Sequence, residues 1–373
     1  MRTAAVDEAT ALRPPASLPD VGRLAADRLP ADVWDFVAGG SGEEGTLAAN
    51  RAALDSVYLV PRVPAGRAAR TEAPLLGRAA GMPVVVAPMA YQRLAHPDGE
   101  LAAAAAAREA GIPFAASVLG SRPIEEVAAV GAATWFQLYW LRDRGRTVEL
   151  LRRAEQSGCR ALMVTVDVPV MARRLRDLRN GFTLPPGVEA ANLAPAAGAS
   201  AARRETTPAA HTAELFDPAL TWRDLEWLRD ETSLPLVVKG VLDPRDAAQA
   251  AGIGASAVVV SNHGGRQLDG ALPSIAALSD AVDAVAGRAD VLLDSGVRSG
   301  TDVLRALALG AAGVLLGRPV LWGLAVDGER GVRLVLELVA AELRDALTLA
   351  GCPDPAAARG LRTLTPSSWA EAR

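Results

Sequence analysis

The sequence predicts an α/β chain closed into a (β/α)8 barrel, a TIM barrel, and three observations carry that expectation. Eight short apolar runs recur, at residues 83–88, 112–117, 134–139, 161–167, 235–239, 255–263, 291–294 and 313–317. Most of the intervals hold one stretch of helical spacing, as at 100–110, 124–130, 147–157, 246–251 and 301–309. Uniformly apolar, β-branched strands that alternate with helices imply a parallel sheet covered on both faces. Eight repeats imply closure; an open doubly wound sheet is the weaker alternative. Thirdly, polar residues gather where these runs end: Gln137 and Tyr139, Thr165 and Asp167, Lys239, His263, Asp294, then Gly317 and Arg318. In a barrel those ends share one rim, where such folds place their sites. One polar strand end is ordinary termination. A tyrosine, an aspartate, a lysine and a histidine on four consecutive ends point to a site.

The elements follow in order. Residues 18–60 read as an N-terminal helical cap, with helical spacing from Leu18 to Val37, a glycine-rich break at 38–44, and a helix resuming at Thr46 with Asn50 and Arg51 on its polar side. The barrel spans 83–320. Its connection after strand 4, residues 168–234, is far longer than the others; 190–210 is rich in Ala, Pro, Gly and Thr without a period, so the segment reads as a lid or a flexible loop. His211 falls near its end as a solvated loop residue, and His96 belongs to a turn before a helix. Arg173 and Arg174 open the loop near the rim, where a solvated basic pair and a site pair are both open readings. Residues 321–355 supply two closing helices, 321–325 and 332–350, and the whole of 1–373 reads as one domain.

Bulk properties narrow the classes. At 373 residues and 50% hydrophobic the chain is long for one domain but suits a barrel with additions. A net charge of -4, with no basic face, argues against nucleic acid. No apolar run of about 18 residues offers a membrane span. Residues 1–15 carry Asp7 and Glu8 without an apolar core, unlike a signal peptide. Cys159 and Cys352 lack metal-type spacing, so a reducing, cytoplasmic setting is expected and no metal is.

The chemistry centres on Ser261-Asn262-His263-Gly264-Gly265-Arg266-Gln267, at the tip of the sixth strand. Two glycines let the backbone turn and a flat ligand approach. A base three residues from a fixed cation suits proton removal from an anionic substrate. The last two strands add a phosphate signature. Asp294-Ser295-Gly296-Val297-Arg298-Ser299-Gly300 opens a helix, and Gly317-Arg318-Pro319 follows strand 8. Loops at these positions, with backbone N–H groups and a helix N-terminus, cradle phosphate in this fold.

From about residue 18 to 355 the chain resembles the FMN-dependent α-hydroxy acid oxidases and dehydrogenases, the family of glycolate oxidase, lactate oxidase and mandelate dehydrogenase. The 261–267 segment is its signature, and 294–300 resembles its flavin phosphate loop, although the family more often has glycine where Ser295 stands. Segments 87–94, 135–143 and 173–182 are most similar to members acting on mandelate-like acids. The resemblance implies FMN as cofactor, a 2-hydroxy acid and O2 as small-molecule partners, and a homotetramer or octamer. It implies His263 as the base, Asp167 as its partner, Arg266 and Arg174 on the substrate carboxylate, Tyr139 as a hydrogen-bond donor to substrate, and Lys239 beside the flavin. Ala87, Pro88, Met89, Ala90, Ser117, Gln137, Thr165 and Ser261 would line the cofactor ring; Asp294, Gly296, Arg298, Gly317 and Arg318 would hold the phosphate end. Phe36 stands where many members carry a tyrosine that touches the carboxylate, which favours an aryl side chain over glycolate. A dehydrogenase with another acceptor, a flavin barrel isomerase and a non-catalytic flavin-binding barrel are the alternatives. His263 with Arg266 argues against the isomerase.

Overall fold

The computed structural model describes residues 14–63, 68–193 and 207–365. The N-terminal residues 1–13 and most of the 190–210 tract lie outside them. Eight parallel strands close a barrel: β1 (Val84–Met89), β2 (Pro113–Ser117), β3 (Ala133–Leu138), β4 (Ala161–Thr165), β5 (Leu236–Val241), β6 (Ala257–Val260), β7 (Asp290–Leu293) and β8 (Gly313–Leu316). β8 pairs with β1, Val314 opposite Val84, so the sheet has no edge and the open doubly wound alternative is excluded.

Alternation along each strand builds two cores. Val85, Ala115, Trp135, Met163, Val237, Val259, Leu292 and Leu315 face inward and fill the barrel. Val84, Val86, Phe114, Phe136, Val164 and Val258 face outward onto the helices. Leu75 and Ala80, from a short antiparallel pair of strands, join the inner cluster as a plug below.

The cap is three helices, α1 (Leu18–Arg28), α2 (Ala31–Ala38) and α3 (Gly45–Asp55). Pro30 separates the first two, where one continuous pattern was expected. The helices over the barrel are α4 (Glu100–Glu109), α5 (Ile124–Ala129) and α6 (Arg144–Gln156). The long connection after β4 holds α7 (Leu175–Asn180), α8 (Pro208–Leu215) and α9 (Trp222–Asp230), so it is far more structured than its composition predicts. Its last helix is started by a Thr221–Asp224 capping box. His211 lies in α8, not in a loop. After β5, β6 and β7 come α10 (Pro244–Gly252), α11 (Ser274–Val285) and α12 (Gly300–Ala308). Finally α13 (Arg318–Leu349) breaks at Asp327 and Gly328, which gives the two expected stretches, and α14 (Pro355–Ala358) follows. His96 sits in the turn before α4, close against Gly328 at that break.

Several strands end one to three residues sooner than their apolar runs. Tyr139, Asp167, His263 and Asp294 stand on the first turns beyond β3, β4, β6 and β7 rather than on the strands. There the chain peels off to start each loop, and His263, Gly264 and Gly265 have φ of 58, 66 and 73°, a left-handed run no strand accommodates.

Candidate active site

Residues two apart on a strand share a face, so each apolar residue inside the barrel fixes what stands above it. Ascending by that step, Ala115 leads to Ser117, Trp135 to Gln137 and Tyr139, and Met163 to Thr165 and Asp167. Likewise Val237 leads to Lys239, Val259 to Ser261 and His263, and Leu292 to Asp294. The interior thus turns from apolar to polar at the C-terminal rim.

The first polar layer is a row of paired side chains. Ser117 Oγ donates to Gln137 Oε1 at 2.9 Å, and Gln137 Nε2 donates to Thr165 Oγ1 at 3.0 Å. Across the mouth Lys239 Nζ meets Asp294 Oδ2 at 2.9 Å and Ser261 Oγ at 3.2 Å, while Ser261 Oγ donates to Asp294 at 2.7 Å. All are buried. Burial works against the charge on Lys239, but Asp294 and then Asp167 outweigh it and hold its pKa above the ordinary lysine value. Burial likewise opposes ionisation of Asp294, and Lys239 with Ser261 keeps its carboxyl below the usual range. Ser117, Gln137, Thr165 and Ser261 are not among the residues of the cleft wall; they form the layer beneath it.

Above that layer His263 Nδ1 lies 3.0 Å from Asp167 Oδ1. This contact places the ring proton on Nδ1 and leaves the Nε2 lone pair free. Burial lowers the imidazole pKa first; Lys239 and Arg174 add to this, and Asp167 only partly compensates. Burial therefore favours the neutral ring, whose Nε2 can accept a proton. Asp167 has its own supports. Gln267 Nε2 donates to the Asp167 and Val170 carbonyls at 2.8 and 2.9 Å. A Cβ on Gly240, at φ +107°, would lie 2.5 Å from the Asp167 carboxyl carbon, so only glycine admits that side chain.

The cleft over these groups spans about 1130 Å³ of space, part of it open solvent at its mouth. Arg174, Lys239, Arg266, Arg298 and Arg318 line it, and among its described lining residues Asp294 is the only carboxylate. Burial, then the neighbouring Arg318, brings Arg298 down to about 9, and burial with Arg174 brings Arg318 to about 10. Arg266 is also pushed well below the ordinary arginine value, by burial and then by Arg174. Buried cations that repel one another need anions between them. The donor set therefore fits a flat cofactor with a phosphate tail plus a carboxylate substrate. Arg298 and Arg318 stand beside Gly296 and Gly317 at the starts of α12 and α13, where backbone N–H groups favour phosphate. The Ala87, Pro88, Met89 and Ala90 segment and Lys239 form another part of the same wall.

The substrate end is where the cap and the lid meet. The Arg266 and Arg174 guanidinium carbons stand 5.3 and 5.6 Å from the Phe36 ring centroid, and Phe36 stacks on Phe182 at 4.6 Å. Arg174 is buried and its Nε has no partner among the described residues, whereas Arg173 is exposed; the pair divides into one site residue and one solvated residue. Tyr139 stacks on Phe216 at 4.6 Å, and burial raises its phenol pKa, so its O–H remains a donor. Sequence reasoning missed Met171, Thr212 and Phe216, which line the cleft from the lid, because they belong to no motif and no strand end. It also missed the reciprocal amide bonds of Asn50 and Asn262, 2.9 and 2.7 Å, which pin the cap to the histidine loop. Asn50 is buried rather than on a solvated face.

Residues 25–362 match the family model described as FMN-dependent dehydrogenase. Over 351 residues, 93% of this chain and 98% of the relative, the sequence is 55% identical to 4-hydroxymandelate oxidase from Amycolatopsis orientalis. It is 48% identical to L-lactate oxidase from Nostoc sp., covering 92% of this chain and 96% of that protein. Among solved structures, mandelate oxidase with (S)-4-hydroxymandelic acid superposes with a TM-score of 0.90 at 54% identity, over 94% of this chain and 99% of the other.

Proposed function

The chain belongs to the FMN-dependent dehydrogenase family, and from that premise we propose that it oxidises an (S)-2-hydroxy acid with an aryl side chain, mandelate or 4-hydroxymandelate. The products are the 2-oxo acid and, from O2, H2O2. The observation that carries this reading is His263, backed by Asp167 at 3.0 Å, in one cleft with two arginines poised over an apolar phenyl ring.

FMN, when bound, supplies the two-electron acceptor. Arg266 and Arg174 bind the substrate carboxylate, and Tyr139 donates a hydrogen bond to the substrate. This grip fixes which face of the α-carbon is presented. His263 Nε2 takes a proton from the α-carbinol group as the carbonyl forms, and Asp167 stabilises the imidazolium. Lys239 places a positive charge at the cleft floor, where negative charge develops. Gly296, Arg298, Gly317 and Arg318 would hold the ribityl phosphate, and Ala87, Pro88, Met89 and Ala90 would line the ring over the Ser117, Gln137, Thr165 and Ser261 layer; Asp294, an anion paired with Lys239 at 2.9 Å, would hold that lysine in place rather than the phosphate. Phe36 has no hydroxyl for the carboxylate, and with Phe216 and Met171 it gives the apolar surface an aryl group requires.

Two electrons and two protons leave the substrate, and one O2 takes both pairs as H2O2. A homotetramer or octamer is the proposed assembly, and the exposed Val170, Leu178, Leu268 and Leu272 offer apolar surface for it. Two buried free thiols accord with a reducing cytoplasm, and among the described residues no helix is long and apolar enough to cross a membrane. Turnover of (S)-mandelate in air tests the acceptor: one H2O2 per oxo acid is expected. Oxo acid formed only with an added quinone or dye would instead identify a dehydrogenase.

A further inference from the structure

Ser295 stands in the phosphate-type loop after β7 at φ +84°, a left-handed conformation that costs a non-glycine residue free energy. It is 4% exposed and lines the cleft. What it offers in return lies next door. In the left-handed run His263, Gly264, Gly265, each backbone N–H is captured by a side-chain oxygen. His263 N–H donates to Ser261 Oγ at 3.0 Å, Gly264 N–H to Ser295 Oγ at 2.9 Å, and Gly265 N–H to Asn262 Oδ1 at 3.1 Å. The first and last bonds are local to the loop. The middle one crosses from the loop after β6 to the loop after β7.

The carbonyl of Gly264 is held from the cofactor side as well. Arg318, at the start of the helix after β8, donates to it from Nη1 at 3.0 Å. The residue next to His263 is thus clamped between two cleft-lining side chains from the two loops that carry the phosphate-type residues. Ser295 Oγ accepts from Gly264, and among the described residues its own O–H proton has no acceptor.

We propose that Ser295 couples cofactor binding to the placement of His263, its hydroxyl accepting from Gly264 N–H while donating to an oxygen at the phosphate end of bound FMN. An alanine there keeps the strain and loses both bonds. A glycine relieves the strain and loses both bonds. The inference rests on FMN occupying this cleft, but not on which acid is oxidised.

The test compares the holoenzyme with Ser295→Ala and Ser295→Gly. FMN dissociation is followed by the flavin fluorescence recovered on dilution. Hydrogen exchange of the 261–267 segment is followed at saturating FMN. A charge-assisted hydrogen bond predicts about 10-fold weaker FMN binding in both variants. The segment should exchange at least about 10-fold faster in both, although FMN is saturating. Ser295→Gly settles the case if the strained alanine variant fails to fold. FMN binding within twofold of the parent in Ser295→Gly overturns the inference. Weaker FMN binding with unchanged exchange overturns the coupling. Neither readout requires a hydroxy acid, so failure of the substrate assignment would show separately, as FMN binding without reduction.

Discussion

At the residue scale the proposed reaction turns on the charge state of His263. Burial, Lys239 and Arg174 all favour the neutral ring, and its pKa lies below the ordinary histidine value of 6.5. A base works only when unprotonated, so the rate of anaerobic flavin reduction at saturating (S)-mandelate should be flat above that pH and fall only on its acid side. Asp167 is the group that raises the imidazole pKa. Asp167→Asn should therefore move the acid limb to still lower pH and slow reduction roughly 100-fold. An acid limb that moves upward would contradict the electrostatic account. Much of this residue set was legible in the sequence because it sits at or just beyond the strand ends, where the apolar runs stop. Lys239 stands out in the sequence as the one lysine among 39 basic residues, at a position where a compact ammonium rather than a guanidinium is buried. Ser295 was visible as an oddity, but its role needed the 2.9 Å bond to Gly264.

At the element scale the lid helix α7 and the cap helix α2 form one unit. Arg176 on α7 pairs with Asp35 at 3.3 Å and Glu44 at 2.6 Å, and Asn180 Nδ2 donates to Asp35 at 3.1 Å. Gly42 N–H donates to the Arg173 carbonyl at 3.0 Å, beside Arg174. The Phe36–Phe182 stack completes the joint. Half-exposed pairs of this kind contribute about 1 kcal/mol or less each, so Arg176→Ala should barely change the melting temperature. It should loosen Arg174 and raise KM for the hydroxy acid roughly fivefold, with kcat within about twofold. A fall in kcat at unchanged KM would assign Arg176 another role. None of this was readable from sequence, because the partners lie more than 130 positions apart. The eight strands were readable because a closed parallel barrel demands uniformly apolar runs, whereas a docked loop demands only a few well-placed contacts.

At the scale of the whole molecule a net negative chain carries a positively charged cleft. Such a field draws small anions to the mouth while the exterior stays acidic. The barrel supplies the polar layer, the cap supplies Phe36, and the lid supplies Arg174, so the substrate end exists only when all three are assembled. The most direct measurement is the flavin absorbance of the purified holoenzyme mixed without oxygen with (S)-4-hydroxymandelate, (S)-mandelate, L-lactate and glycolate. The aryl-acid assignment predicts that both aryl acids bleach the flavin fastest and glycolate slowest. Bound flavin that none of the four acids bleaches, or that glycolate bleaches fastest, would contradict it.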